Sequence, residues 1–141
     1  WYCRREYYYS GRDKGRQKTD KEFSDDLTAW LSGEKVRAVI LDPAAASFKA
    51  QLEKDGYKVK KAKNDVLDGI RFVATLLLSG SIFVDKSCEN LIKEFASYIW
   101  DAKAAERGED KPVKEHDHAL DALRYFCYTI IRRGGGIRIL K

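Results

Sequence analysis

The chain has 141 residues and a mass of 16.2 kDa, enough for one domain with its own core and too little for two. Hydrophobic residues make up 44% and charged residues 35%, a balance that excludes a disordered chain. Lys and Arg outnumber Asp and Glu by 27 to 22, a net charge of +5, which permits a polyanionic partner without identifying one.

The aromatic segment Trp1–Tyr9 reads as a strand running into a Ser10-Gly11 turn. It lacks the apolar stretch of a signal peptide. The chain opens on Trp1 and holds no methionine, so a piece of a longer protein is expected. A basic loop follows (Arg12, Lys14, Arg16, Lys18), then Thr19-Asp-Lys-Glu22, a capping box. The helix it opens carries Phe23, Leu27, Trp30 and Leu31 on one face and stops near Gly33. Val36–Leu41 is a short β-branched run, the pattern of a buried strand, and ends on Asp42-Pro43. A second helix is expected from Ala44 to about Asp55, and a strand from Tyr57 to Lys63.

Asn64 is the expected cap of a third helix, with Ile70, Val73, Ala74 and Leu77 inward and Gly80 at its end. The apolar stretch Ile70–Val84 is broken by Arg71, Ser79, Gly80 and Ser81 and falls short of the roughly 18 to 20 residues that cross a bilayer. Ser81–Asp85 reads as a strand, and Ser87 opens a helix with Leu91, Phe95, Tyr98 and Ile99 on its apolar face. A polar loop, Ala104–Lys114, leads to a last helix from about Glu115 to Arg133, ended by Gly134-Gly-Gly136. Three scattered cysteines (Cys3, Cys88, Cys127) form no C-x-x-C, which argues for a reducing compartment and against a disulfide framework. Without repeats or linkers, residues 1–141 read as a single α/β domain, a mixed sheet with helices on both faces.

Two places carry candidate chemistry. Asp42 directly follows a buried strand, at the carboxyl edge where open α/β sheets bind ligands; the alternative is a simple cap of the following helix, with Pro43 at its start. In Glu115-His-Asp-His-Ala-Leu-Asp121, Asp117 and Asp121 share a helical face and His118 neighbours Asp121. With Leu120, Leu123, Cys127 and Ile130 inward, Asp117, Asp121, Arg124 and Tyr128 form a stripe pointing elsewhere. A dipole-stabilised first-turn Asp117 and an exposed Asp121–Arg124 pair are the structural alternatives. His116-x-His118 is weak support for zinc. A hard divalent cation would join the two places, since Mg²⁺ takes carboxylate oxygens and needs few protein ligands.

Ile40-Leu-Asp-Pro-Ala-Ala-Ala-Ser-Phe48, Val66-Leu-Asp-Gly-Ile70 and Lys111-Pro-Val-Lys-Glu-His-Asp-His-Ala-Leu-Asp-Ala-Leu-Arg-Tyr125 together resemble the carboxy-terminal nuclease domain of the large terminase subunit of tailed double-stranded DNA bacteriophages. The resemblance covers nearly the whole chain. It implies an RNase H-like fold and a metal-dependent endonuclease that cuts concatemeric DNA during packaging, with Mg²⁺ or Mn²⁺, as a pair of ions, held by a cluster of acids. Asp42 matches the second acid of that cluster and Asp121 the third. His118 matches an auxiliary histidine of some relatives, and Asp117 is a secondary metal or water contact. The resemblance puts the first acid on a strand upstream of Trp1, so the fold is expected to lack its first strand and the fragment to cut poorly; Glu6, on the neighbouring strand, is an alternative ligand.

The resemblance also implies double-stranded DNA, the portal protein and the small terminase subunit as partners, in the cytoplasm of a bacterial host. No G-x-x-x-x-G-K-[ST] for ATP occurs. Lys58, Lys60, Lys61 and Lys63, or the basic loop, are candidates for phosphate contacts; lysines guarding an edge strand are the alternative for the first group. A non-catalytic DNA clamp or portal-docking module, or another RNase H-like nuclease such as a junction resolvase, are competing readings.

Overall fold

A computed structural model describes residues 1–105 and 117–134, apart from the side chains of 98–105. Four short strands, β1 (Tyr2–Cys3), β2 (Val39–Leu41), β3 (Val59–Lys61) and β4 (Phe83–Val84), alternate with helices α1 (Gly11–Lys14), α2 (Asp20–Trp30), α3 (Ala46–Lys54), α4 (Val66–Leu78), α5 (Glu89–Ala105) and α6 (His118–Phe126). The strands pair as two parallel ribbons, β1 with β4 and β2 with β3. The α/β class is as expected, but no antiparallel pairing of a mixed sheet occurs among the described residues.

Local chemistry explains most of these elements. Thr19 accepts from the Glu22 amide at 3.2 Å while Glu22 accepts from the Thr19 amide at 2.8 Å, so the capping box closes in both directions. That bond, with help from Arg16, holds the Glu22 carboxyl down at about 2. Helix α3 begins two residues later than expected because Asp42–Ala45 first closes a turn, Ala45 donating to the Asp42 carbonyl at 3.0 Å. Gly56 and Gly80 reverse the chain after α3 and α4 at φ 95° and 66°, conformations that other L-residues rarely adopt.

The helices form two groups. On one side α2 packs on α3, with Phe23 edge-on to Phe48. On the other, α4, α5 and α6 enclose a core in which Leu76, Cys88 and Cys127 are fully buried beside Val73, Ile82, Leu91 and Leu123.

Several expected boundaries move. Only Tyr2–Cys3 of the Trp1–Tyr9 segment is a paired strand, and part of the basic loop is the single-turn helix α1. Asp65, not Asn64, occupies the N-cap of α4, without a side-chain bond. On that helix Ala74 and Leu77 face outward, while Gly69, Val73 and Leu76 are buried. The last helix does not run straight to Arg133: α6 passes into a π-helical turn, Cys127–Ile131, and then a 3-10 turn, Arg132–Gly134. The polar loop beyond Ala105, Glu115, His116 and the glycines after Gly134 lie outside the described residues, as do the side chains of Tyr98 and Ile99.

Candidate active site

Strand β2 is half-buried and delivers Asp42 to its carboxyl end. There both carboxylate oxygens are held. Oδ1 accepts from the Ala44 amide at 2.8 Å, and Oδ2 accepts from the Tyr125 hydroxyl at 2.7 Å. These two bonds, the amide first, keep the carboxyl below the usual range. Burial, then Asp42 itself, pushes the Tyr125 phenol up to about 12. Tyr125 is thereby kept protonated as the donor to Asp42. Capping is not the role of Asp42, since the N-cap of α3 is Ala45.

Asp121 arrives from α6, whose Leu123 enters the core together with Cys127 of the π-helical turn that follows. Its amide closes the first turn on the Asp117 carbonyl at 2.8 Å. Its Oδ1 accepts from Arg124 Nη2 at 2.7 Å and Nε at 3.3 Å. Arg124 is not part of an exposed stripe: its side chain is only 7% exposed, and Nη1 donates to the carbonyls of Asn64 and Asp65, both at 2.9 Å. Tyr128, expected on that stripe too, is buried, and Arg132 stacks on its ring.

Asp42 and Asp121 are thus drawn to adjacent residues of one helix, Tyr125 and Arg124. His118 and Asp117 are not held there. His118 is exposed, lines the groove described below, and sits in the field of Glu94. Asp117 is half-buried at the start of α6, and its side chain caps nothing. Glu6 has a structural role: Oε1 accepts from the Asn90 amide at 2.7 Å and Oε2 from the Leu91 amide at 3.1 Å, capping α5.

Two carboxylates offer the hard oxygen donors that Mg²⁺ or Mn²⁺ takes. No group of three His, Cys, Asp or Glu side chains converges among the described residues.

Lys58, Lys60 and Lys61 are exposed and Lys63 is half-buried, and among the described residues none of them forms an ion pair. Because β3 runs parallel to β2 with Lys61 opposite Leu41, this basic strand leaves the sheet at the same end as Asp42. In the basic loop, by contrast, Arg16 is spent on Glu22 and Lys18 on Asp26.

An apolar groove of about 720 Å³ separates the N-terminal segment from β2, with Trp1, Tyr8, Phe23, Val39, Ile40 and Phe126 among its walls. Along it β2 pairs with β3 alone among the described strands, leaving its other edge open.

Sequence reasoning missed three residues. Arg124 was visible as a partner of Asp121, but its burial depends on Gly69 of α4, whose absent side chain makes room for the arginine stem. Tyr125 had no signal beyond its place in the motif. Glu94 carries no signal in the sequence, yet it is 5% exposed and caps α6 through the Leu120 amide at 2.8 Å.

Comparison with known proteins adds the family. The large terminase subunit of Escherichia phage T5 is 32% identical over 131 residues, covering 89% of this chain and 30% of that protein. The large terminase of the thermophilic bacteriophage D6E is 53% identical, with a TM-score of 0.84 over 93% of this chain and 34% of that one. Its complex with ADP superposes with a TM-score of 0.85. The chain thus spans about a third of the length of these relatives. The terminase RNase H-like domain family matches residues 4–128, and the chain belongs to it.

Proposed function

We propose that this domain is the endonuclease of a phage packaging terminase, cutting concatemeric double-stranded DNA by metal-dependent phosphodiester hydrolysis in the cytoplasm of a bacterial host. The observation that carries the reading is the approach of Asp42, from the end of β2, and Asp121, from α6, to one Tyr125–Arg124 pair. Asp42 and Asp121 would hold Mg²⁺ or Mn²⁺, with Asp117 as a secondary contact and His118 as an auxiliary group. Bound there, a pair of such ions supplies an activated water and stabilises the leaving oxygen.

The protein's own residues orient and bind. Tyr125 and the Ala44 amide fix the plane of the Asp42 carboxylate. Arg124 turns Oδ1 of Asp121 toward itself. Lys58, Lys60, Lys61 and Lys63 would take DNA phosphates at the end of the sheet where Asp42 emerges, an interaction that weakens with salt. The open edge of β2 and the apolar groove beside it fit a further strand, which by the family resemblance brings the first acid. The portal protein and the small terminase subunit remain proposed partners.

The test is nicking of supercoiled plasmid by the full-length protein in Mn²⁺. Cutting is expected to vanish in Asp42→Ala and in Asp121→Ala while duplex binding persists. A full-length wild-type protein that binds duplex DNA and never cuts it would instead support a clamp or docking role. Preference for four-way junctions over linear duplex would place it among the resolvases.

A further inference from the structure

Arg124 and Tyr125 are consecutive residues on α6, and they act as one unit. The Arg124 guanidinium lies 4.8 Å from the centre of the Tyr125 ring, a cation-π stacking distance. One member holds Asp42 Oδ2 at 2.7 Å and the other holds Asp121 Oδ1 at 2.7 Å. The unit is anchored at its far side, where Arg124 Nη1 donates to two backbone carbonyls, Asn64 and Asp65. Only a planar fork of donors can serve a carboxylate and two carbonyls while stacking on an aromatic face; a lysine ammonium cannot.

The packing leaves this unit little freedom. The arginine stem crosses Gly69, where a Cβ would lie 2.8 Å from Arg124 Cγ and 2.9 Å from Cδ. Those are atoms near the base of a side chain whose tip is fixed, so the arginine could not swing aside without breaking its bonds. Among the described residues, Asp121 Oδ2 accepts no hydrogen bond, so the clamp leaves that oxygen available.

We propose that the stacked Arg124–Tyr125 pair is a positioning device that sets the spacing and orientation of Asp42 and Asp121, with Gly69 as the space it requires. The proposal rests on the reading of those two acids as metal ligands. Hydrogen-bond partners of ligating side chains typically govern metal affinity by about 10- to 100-fold. A purely structural pair would instead govern only the melting temperature.

Mn²⁺ binding to the full-length protein, followed by electron paramagnetic resonance without DNA, separates these roles. Tyr125→Phe removes one hydroxyl and keeps the ring. It is expected to weaken Mn²⁺ binding by about tenfold, with an unchanged melting temperature and with plasmid nicking restored at high Mn²⁺. Gly69→Ala keeps every charge and both acids, and is expected to weaken binding in the same direction. Wild-type affinity in Tyr125→Phe, where Asp42→Ala binds no Mn²⁺, would overturn the positioning role and leave the metal site standing. Unchanged affinity in Asp42→Ala would overturn the metal site itself, and the positioning role with it. If Gly69→Ala fails to fold, Tyr125→Phe decides alone.

Discussion

At the scale of single residues, Asp42 and Asp121 are each held by a side chain of α6, Tyr125 and Arg124. Asp42 and Asp121 were legible because each sits at a place with a physical logic, a strand exit and one turn into an amphipathic helix. Helical periodicity places Arg124 on an exposed stripe because it assigns faces relative to one partner. Here α6 is covered on a second side by α4, where Gly69 admits the arginine. Glu94 shows the same limit. Its Oε2 caps α6, while its Oε1 is buried with no hydrogen-bond partner among the described residues.

Burial raises the Glu94 carboxyl above its ordinary 4.5, against the opposing pull of the α6 amides. A carboxyl raised on folding favours its neutral form in the native state. Its contribution to stability is therefore complete below pH 4.5 and is lost as pH rises through the raised value. Glu94→Gln keeps an acceptor for the Leu120 amide and removes the charge. Its melting temperature relative to wild type is expected to climb between pH 4 and pH 8. A flat difference across that range would show that Glu94 ionises freely in the fold.

At the scale of elements, local chemistry is legible in the sequence where both partners lie within a turn of each other. The Thr19–Glu22 box is such a case, complete in the sequence and complete in the fold. Thr19→Ala, which leaves the Glu22 amide without its partner, is expected to cost about 1 kcal/mol. For a domain of this size that is a drop of about 3 °C in melting temperature, readable by circular dichroism. Boundaries set by distant contacts were not legible. The strand at Trp1–Tyr9 shrinks to two residues because only Tyr2 and Cys3 find a partner, in β4. The π-helical turn after α6 coincides with a contact 66 residues away, the Lys63 amide donating to Thr129 Oγ1 at 2.8 Å.

At the scale of the molecule, two parallel ribbons flank an apolar groove, and the open edge of β2 lies along it. Composition alone gave none of this: a net charge of +5 fits many partners, while the placement of Lys61 beside Leu41 directs a basic strand to the end of the sheet where Asp42 emerges. The relatives are about three times as long as this chain, so metal binding at Asp42 and Asp121 is tested in the full-length protein. A crystal of that protein soaked in Mn²⁺, with anomalous scattering measured at the manganese edge, tests it directly. The expected result is anomalous density between the carboxylates of Asp42 and Asp121, with Tyr125 still bonded to Asp42. Carboxylates more than about 8 Å apart, too far to share ions about 4 Å from each other, with no anomalous density at either acid, would contradict it.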